Sequence, residues 1–373
     1  MRSIILTVLT LVSFQLLAQH NHDRRIEFPD IPGYKTLKCD FHQHTVFSDG
    51  SVWPNIRVQE AIKDGLDAIS ITDHIEYQPH INDIPHPDRN RSYQLAKEAA
   101  KNKGLIVING SEITRSMPPG HANAIFLQDA NKLLVDDSVE VFRAAKKQGA
   151  FIFWNHPHWT SQAPDGIARL TETHKYLLKN GLINGIEVVN DVTYSDEALQ
   201  IALDYDLTIM GTSDIHGLID WQYHVPHGGH RPVTLVFAKE KNEAAIKEGL
   251  MNRRTAVWFN NTLIGRSEYL IPLIEQSVTV VSADYKGKTS VLALSIENNS
   301  DVDFIMKNNS KYTFHRNVDI FTVKANDLTR LEIKTIKKNN ELELHLTVLN
   351  AVTAPKTHPE IKLRIKLEKN LME

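Results

Sequence analysis

Six histidines and three carboxylates recur in short clusters along the first two thirds of the chain: His42-Gln43-His44, Asp49, His74, Glu112, His121, Asn155-His156 and Asp214-Ile215-His216. Imidazole and carboxylate are the side chains that hold divalent transition-metal ions. Side chains alternate along an extended segment, so the two rings of His42-Gln43-His44 share a face and can reach one ion. Asp49 lies in Ser48-Asp49-Gly50, a turn signal as well as a ligand position, and Asp73 is placed to orient a neighbouring imidazole. The metal set is read as His42, His44, Asp49, His74, Glu112, His121, His156, Asp214 and His216. One ion takes about four to six ligands, so two or three divalent ions (manganese, zinc or iron) are expected. Three such ions would outweigh the charges of Asp49, Glu112 and Asp214, leaving a cationic centre for an anionic ester, with phosphate the obvious candidate. The chemistry is metal-assisted hydrolysis.

Ligands so far apart in sequence need a fold that gathers them. Most of them end or follow an apolar run of strand length: Thr36 to Phe41, Asp67 to Ile71, Leu105 to Asn109, Ala122 to Leu127, Ala150 to Trp154, Gly185 to Val189, Leu207 to Met210, with Val233 to Phe237 beyond them. Helical segments intervene, such as Pro54 to Asp64, with proline in its first turn and Gly65 after it, and Ser138 to Lys147, closed by Gly149. The pattern predicts α/β architecture with a mainly parallel sheet closed or nearly closed into a (β/α) barrel, whose carboxyl ends carry the site. Beyond Thr262 short alternating segments replace it, from Ser277 to Ser282 through Ile361 to Leu367, with no evident helical period. They predict a C-terminal antiparallel β domain, a sandwich, so the chain divides into a barrel over 30–260 and a β domain over 262–373. His315, His345 and His358 in the second part lack ligand spacing and are read as surface residues.

With 373 residues and 42% apolar content the chain can bury one large core or two. A net charge of -3 with no Lys/Arg block argues against polynucleotide binding. Met1-Arg2, the apolar stretch Ile4 to Leu17 and Ala18 read as a signal peptide over residues 1–18, predicting export to the periplasm or outside the cell. The stretch is shorter than the roughly 20 residues of a membrane span, so no transmembrane anchor is expected after cleavage. Cys39 is the single cysteine and is read as a buried apolar residue.

In this order, Asp40-Phe41-His42-Gln43-His44-Thr45 with Ser48-Asp49-Gly50, Ile71-Thr72-Asp73-His74, Ser111-Glu112, His121, Asn155-His156-Pro157 and Ser213-Asp214-Ile215-His216 resemble the polymerase-and-histidinol-phosphatase (PHP) superfamily of metal-dependent phosphoesterases. The resemblance spans roughly residues 36 to 260. It implies a distorted (β/α)7 barrel and commonly three ions. His42, His44, Glu112 and Asp214 would hold the first, Asp49, His74 and His216 the second, and Glu112, His121 and His156 the third. Aspartate at position 49 favours manganese or iron beside zinc. The export signal and β-rich tail look most like the secreted manganese-dependent phosphodiesterases. The implied activity is hydrolysis of a small anionic phosphodiester by in-line attack of a metal-bound hydroxide, the alternatives being a phosphomonoesterase and a non-catalytic, metal-stabilised binding protein. Hydrolysis of carbon-nitrogen bonds is a distant third.

Around the ligands, Arg115, His227 and His230, with His224 and Arg231 beside them, are candidates for contacting phosphate or protonating the leaving group, against loop or solvent roles. His158 is read as a ligand-supporting residue or a helix cap. His80 and His86 lie in a proline-rich lid or surface loop, and Trp258 is read as a core residue or a stacking surface.

Overall fold

The structure, a computed structural model, describes residues 24–367, so the expected signal peptide lies outside the described residues. Strands β1 (Lys35–Asp40), β2 (Ala68–Ile71) and β3 (Ile106–Ile113) pair in parallel. Their apolar side chains supply both the interior and the layer beneath the helices, so the strands are buried on both faces. Helix Pro54–Lys63 opens on Pro54 and stops before Gly65, whose φ of +69° a side chain would oppose.

β4 (Ala122–Ile125) runs antiparallel to β3, and β5 (Phe151–Trp154) antiparallel to β4. Only Thr114 to His121 separates β3 from β4, too short for the dozen or so residues that a parallel crossover needs. β6 (Gly185–Asn190) is parallel to β5, the short β7 (Thr193–Tyr194) folds back on β6, and β8 (Thr208–Thr212) lies parallel to β6. β9 (Val233–Ala238) is antiparallel to β1, and β10 (Thr255–Phe259) and β11 (Thr262–Gly265) continue that alternation. The expected mainly parallel sheet is therefore mixed.

The sheet curls until β8 meets β9 and β10. Gly211 donates its N–H to Thr234 Oγ1 (3.0 Å), whose hydroxyl donates to the Gly211 carbonyl (2.8 Å), and Thr255 Oγ1 donates to the Ile209 carbonyl (2.8 Å). The result is a distorted, nearly closed barrel. Leu37, Cys39, Phe41, Phe151, Phe153 and Met210 share its apolar interior cluster, where Cys39 is fully buried and its thiol is raised by that burial.

Beyond β11 stands helix Ser267–Ser277, contrary to the expectation of no helical period there. Leu270, Leu273 and Ile274 form its buried stripe, but Pro272 inside it carries no N–H and masks the pattern in the sequence. The β-rich part begins at Val278. Two four-stranded antiparallel sheets face each other, one containing Val291–Asn298 and the other Glu341–Val348. Leu292, Leu294 and Ile296 meet Leu342, Leu344 and Leu346 in one cluster, the period-two burial of a sandwich. Val352 and Ala351 also extend the barrel sheet by pairing in parallel with β11, and the Asn350 amide donates to the Asn261 (2.7 Å) and Asp303 (2.8 Å) carbonyls. Among the described residues no helix is long and apolar enough to cross a membrane.

Candidate metal centre

The parallel strands bring their ligand-bearing ends together. His42 and His44 follow β1, His74 follows β2, Glu112 lies near the end of β3, His156 follows β5, and Asp214 and His216 follow β8. Because β4 is reversed, His121 stands at its start and therefore at this same end. Asp49 is folded back on His44 by a turn that needs glycine: a Cβ on Gly50 would lie 2.7 Å from the His44 carbonyl carbon and the Thr45 nitrogen. His156 (φ 28°) and Asp214 (φ 48°) both occupy left-handed backbone conformations, which cost energy and concentrate at functional sites.

Ligand atoms of His42, His44 and Asp214 form one cluster, those of His44, Asp49, His74 and His216 a second, and those of His74, Glu112 and His121 a third. His44 and His74 each belong to two clusters, a sharing absent from the expected assignment. In the first cluster His42 Nε2 lies 3.1 Å from His44 Nε2, and Asp214 Oδ1 lies 3.1 Å from both. An ion with bonds of about 2.1 Å sets neighbouring ligand atoms about 3.0–3.4 Å apart, so this triangle has the dimensions of a coordination face. In the second, Asp49 lies 3.2 Å from His216 Nε2 and 3.4 Å from His74 Nε2. Glu112 links the groups: Oε1 is 3.1 Å from His121 and 3.4 Å from His156, while Oε2 is 2.7 Å from His74 and 3.4 Å from His44. Buried Oε2 thus faces two imidazole rings, as an oxygen shared between metal ligands would. The donor set thus fits divalent ions.

The electrostatics agree. Burial would raise the carboxyl of Glu112, but His74, His42, His121 and His156 hold it well below the usual range, and imidazoles likewise lower Asp49 and Asp214. Burial, with His216 and His74 adjacent, pulls His44 down to about 4. At His74 burial is outweighed by Glu112 and Asp49, which raise it to about 10, and acidic neighbours similarly raise His42, His156 and His216. Charged carboxylates therefore retain protons on nearby imidazoles, and cations would displace those protons.

Four further residues support the proposed ligands, Asn155 from a motif named above and Glu187, Arg57 and Thr114 from outside those motifs. Glu187, fully buried in β6, sets Oε1 2.8 Å from His42 Nδ1 and accepts from Thr212 Oγ1 (2.6 Å), while Oε2 accepts from the His156 N–H (2.7 Å). It was detectable as a lone acid in the apolar run Gly185-Ile186-Glu187-Val188-Val189. Arg57 is fully buried and donates to the carbonyls of His44 (2.9 Å), Ile215 (3.1 Å), His216 (3.0 Å) and Gly217 (2.7 Å), tying two ligand loops together. Asn155 donates to Glu112 Oε1 (2.8 Å), and Thr114 Oγ1 lies 2.6 Å from His74 Nδ1. Asp73 does not meet an imidazole as expected: it accepts from Thr45 N (2.7 Å), Thr45 Oγ1 (2.8 Å) and Ser48 Oγ (2.7 Å) and so shapes the loop after β1.

The expected substrate residues are not gathered with the ligands. The guanidinium of Arg115 is occupied by the Val135 and Asp136 carbonyls and by Glu76 (3.0 Å), the loop role. His230 lies flat on Trp258 with ring centroids 3.4 Å apart, and burial lowers it to about 4. Trp258 in turn meets Phe28 in the outer core. Arg231 is a fully buried ion-pair partner of Asp40 (3.2 Å) and Asp64 (2.7 Å), and His224 and His227 are exposed beside the short turn Val225–His227. His158 neither supports a ligand nor caps a helix: Nε2 lies 2.7 Å from Thr193 Oγ1. His86 is buried, contacting Gln78 and packing its ring on Phe47, so that part of the proline-rich segment is anchored.

The PHP domain model matches residues 40–319, and an Ig-like domain model matches residues 278–364. The first covers well over half the chain and includes all nine candidate ligand positions. The chain belongs to the PHP family. Among solved structures, a two-domain protein from Bacteroides vulgatus containing a predicted PHP-like metal-dependent phosphoesterase is 43% identical, with a TM-score of 0.86, covering 93% of this chain and 100% of that one. PsfC from Pseudomonas syringae is 16% identical with a TM-score of 0.42, covering 61% of this chain and 92% of that one. No curated protein matches. As a PHP protein the chain pairs the ligand-bearing barrel with an Ig-like tail over its whole described length.

Proposed function

We propose that this chain is an exported metal-dependent phosphoesterase that hydrolyses small phosphodiesters, with His42, His44, Asp49, His74, Glu112, His121, His156, Asp214 and His216 holding two or three ions. The observation that carries the reading is the His42–His44–Asp214 triangle beside the buried carboxylate of Glu112. The family and the Bacteroides vulgatus relative support phosphoester chemistry. Bound ions would supply Lewis acidity toward phosphoryl oxygens and an activated water. The chain's part is to place ligands: Glu187 fixes the ring of His42 through Nδ1, Arg57 locks the His44 and His216 loops, and Asn155 sets Glu112. No cysteine, serine or lysine nucleophile is needed. Oxygen donation from Asp49 to the second cluster favours manganese or iron beside zinc. Export rests on the apolar amino-terminal stretch with its basic start.

The test is nitrophenol release from bis(4-nitrophenyl) phosphate and 4-nitrophenyl phosphate by protein stripped of metal and reloaded with manganese. Faster turnover of the diester is expected. Preference for the monoester makes it a phosphatase, and inertness toward both leaves the metal-stabilised binding protein.

A further inference from the structure

Six tyrosine or tryptophan rings are well exposed among the described residues, and four of them follow a proposed ligand by three to five positions: Trp53 after Asp49, Tyr77 after His74, Trp159 after His156 and Trp221 after His216. Trp53 caps helix Pro54–Lys63 and Trp221 lies in the short helix Ile219–Gln222, whereas Tyr77 and Trp159 pack on the rings of proposed ligands. Scattered exposed apolar residues are ordinary, but an exposed ring packed on proposed ligands is not.

Trp159 is the best placed of the four. Its ring centroid lies 5.1 Å from that of His156 and 5.7 Å from that of His121, yet the residue remains 44% exposed. Its N–H donates to the His156 carbonyl (2.9 Å), which ties the loop to the ligand. Tyr77, 52% exposed, similarly meets His74 at 5.8 Å. A phosphoryl group drawn to an ion beside His121 would bring the ester's organic substituent near Trp159, whose ring packs on His121 and His156. Arg115, whose carbonyl accepts from Gln162 just after Trp159, commits its guanidinium to Val135, Asp136 and Glu76.

We infer that Trp159 is a specificity-determining residue, and that the preferred phosphoesters carry a ring that stacks on its indole beside the phosphoryl group, through the flat face of a nucleobase or aryl group or the C–H face of a pyranose. This rests on the phosphoesterase reading above. Methyl, phenyl, thymidyl and glucosyl 4-nitrophenyl phosphates share one leaving group, so differences in their turnover report on the other substituent. With manganese-loaded full-length protein, the ring-bearing esters should exceed the methyl ester in kcat/KM by about tenfold, the order of one aromatic stack. Trp159→Ala should bring that ratio toward one, mainly through KM, and Trp159→Phe should retain most of it. The ranking of thymidyl against glucosyl separates the nucleobase from the pyranose. No ring preference in the wild type overturns the inference, as does an equal loss on methyl and phenyl esters in Trp159→Ala, which would make the indole a support for His121 and His156. Release from none of the four by the wild type removes the phosphoesterase reading itself, and the inference with it.

Discussion

The barrel mouth and the C-terminal sandwich are both strand-built, yet they bury opposite kinds of side chain. In the sandwich, Glu341–Val348 alternates cleanly, Leu342, Leu344, Leu346 and Val348 inward and polar residues outward. At the mouth, His42, His44, Glu112 and Glu187 are fully buried, and two ligands adopt left-handed backbone. Burying charge without a compensating partner costs several kcal/mol, so the mouth persists only because its groups compensate one another and because Arg57 and Asp73 fix its loops. Stability and chemistry are thus assigned to different regions of one chain, joined through Asn350 and the strand pairing of Ala351 and Val352.

This division can be attacked from either side. Glu112→Gln keeps the shape but removes the charge that faces both ligand groups, and should lower kcat/KM on bis(4-nitrophenyl) phosphate by roughly 10³-fold or more with an unchanged circular dichroism spectrum. A variant within threefold of wild type would dissolve the contrast. Leu344→Ala should do the reverse. Its cavity should destabilise the sandwich by about 2–5 kcal/mol in urea unfolding, while turnover at 25 °C stays near wild type. Loss of turnover in a still-folded Leu344→Ala protein would mean the sandwich takes part in catalysis.

Smaller effects sharpen the boundary between ligand and scaffold. Glu187→Gln should weaken metal binding by about 10–100-fold in a calorimetric titration, the usual effect of removing a carboxylate behind a ligating histidine. Unaltered affinity would leave Glu187 a purely structural acid.

A further effect, spread over pH, concerns His174, buried against Trp154 and pulled by burial to about 4. An unfolded histidine titrates near about 6.5, so between these values the unfolded chain binds a proton that the folded chain does not. Stability contributed by neutral His174 is therefore present above about pH 6.5 and is lost as pH falls toward 4, by at most about 1.4 kcal/mol per unit. Unfolding midpoints of metal-free wild type and His174→Gln across that window should converge as pH falls. Parallel curves would remove His174 as the acid-sensitive group.

The gathering of these candidate ligands at one end of the barrel was legible because imidazole and carboxylate at strand ends have few reasons to recur in that order, and the same strand ends announced the barrel. What stayed hidden depends on tertiary neighbours. The reversal of β4 follows from the short Thr114 to His121 connection, which sequence periodicity does not weigh, and Pro272 concealed helix Ser267–Ser277. Arg115 and His230 were attractive as charged or titratable groups near ligands in sequence. Loop carbonyls and the face of Trp258 claim them instead, contacts that no local pattern encodes. Glu187 stands as a lone acid in an apolar strand and Arg57 as one of several charges on its helix, so neither carries a local pattern that marks it as buried against the ligands.

The most direct test of a multi-metal hydrolytic centre is to strip the protein, return manganese stepwise, and measure bound metal per chain and diester turnover on the same samples. Two or three ions per chain, with turnover absent at the start and restored as the sites fill, is the predicted result. Binding of fewer than two ions, or turnover indifferent to stripping, would contradict it.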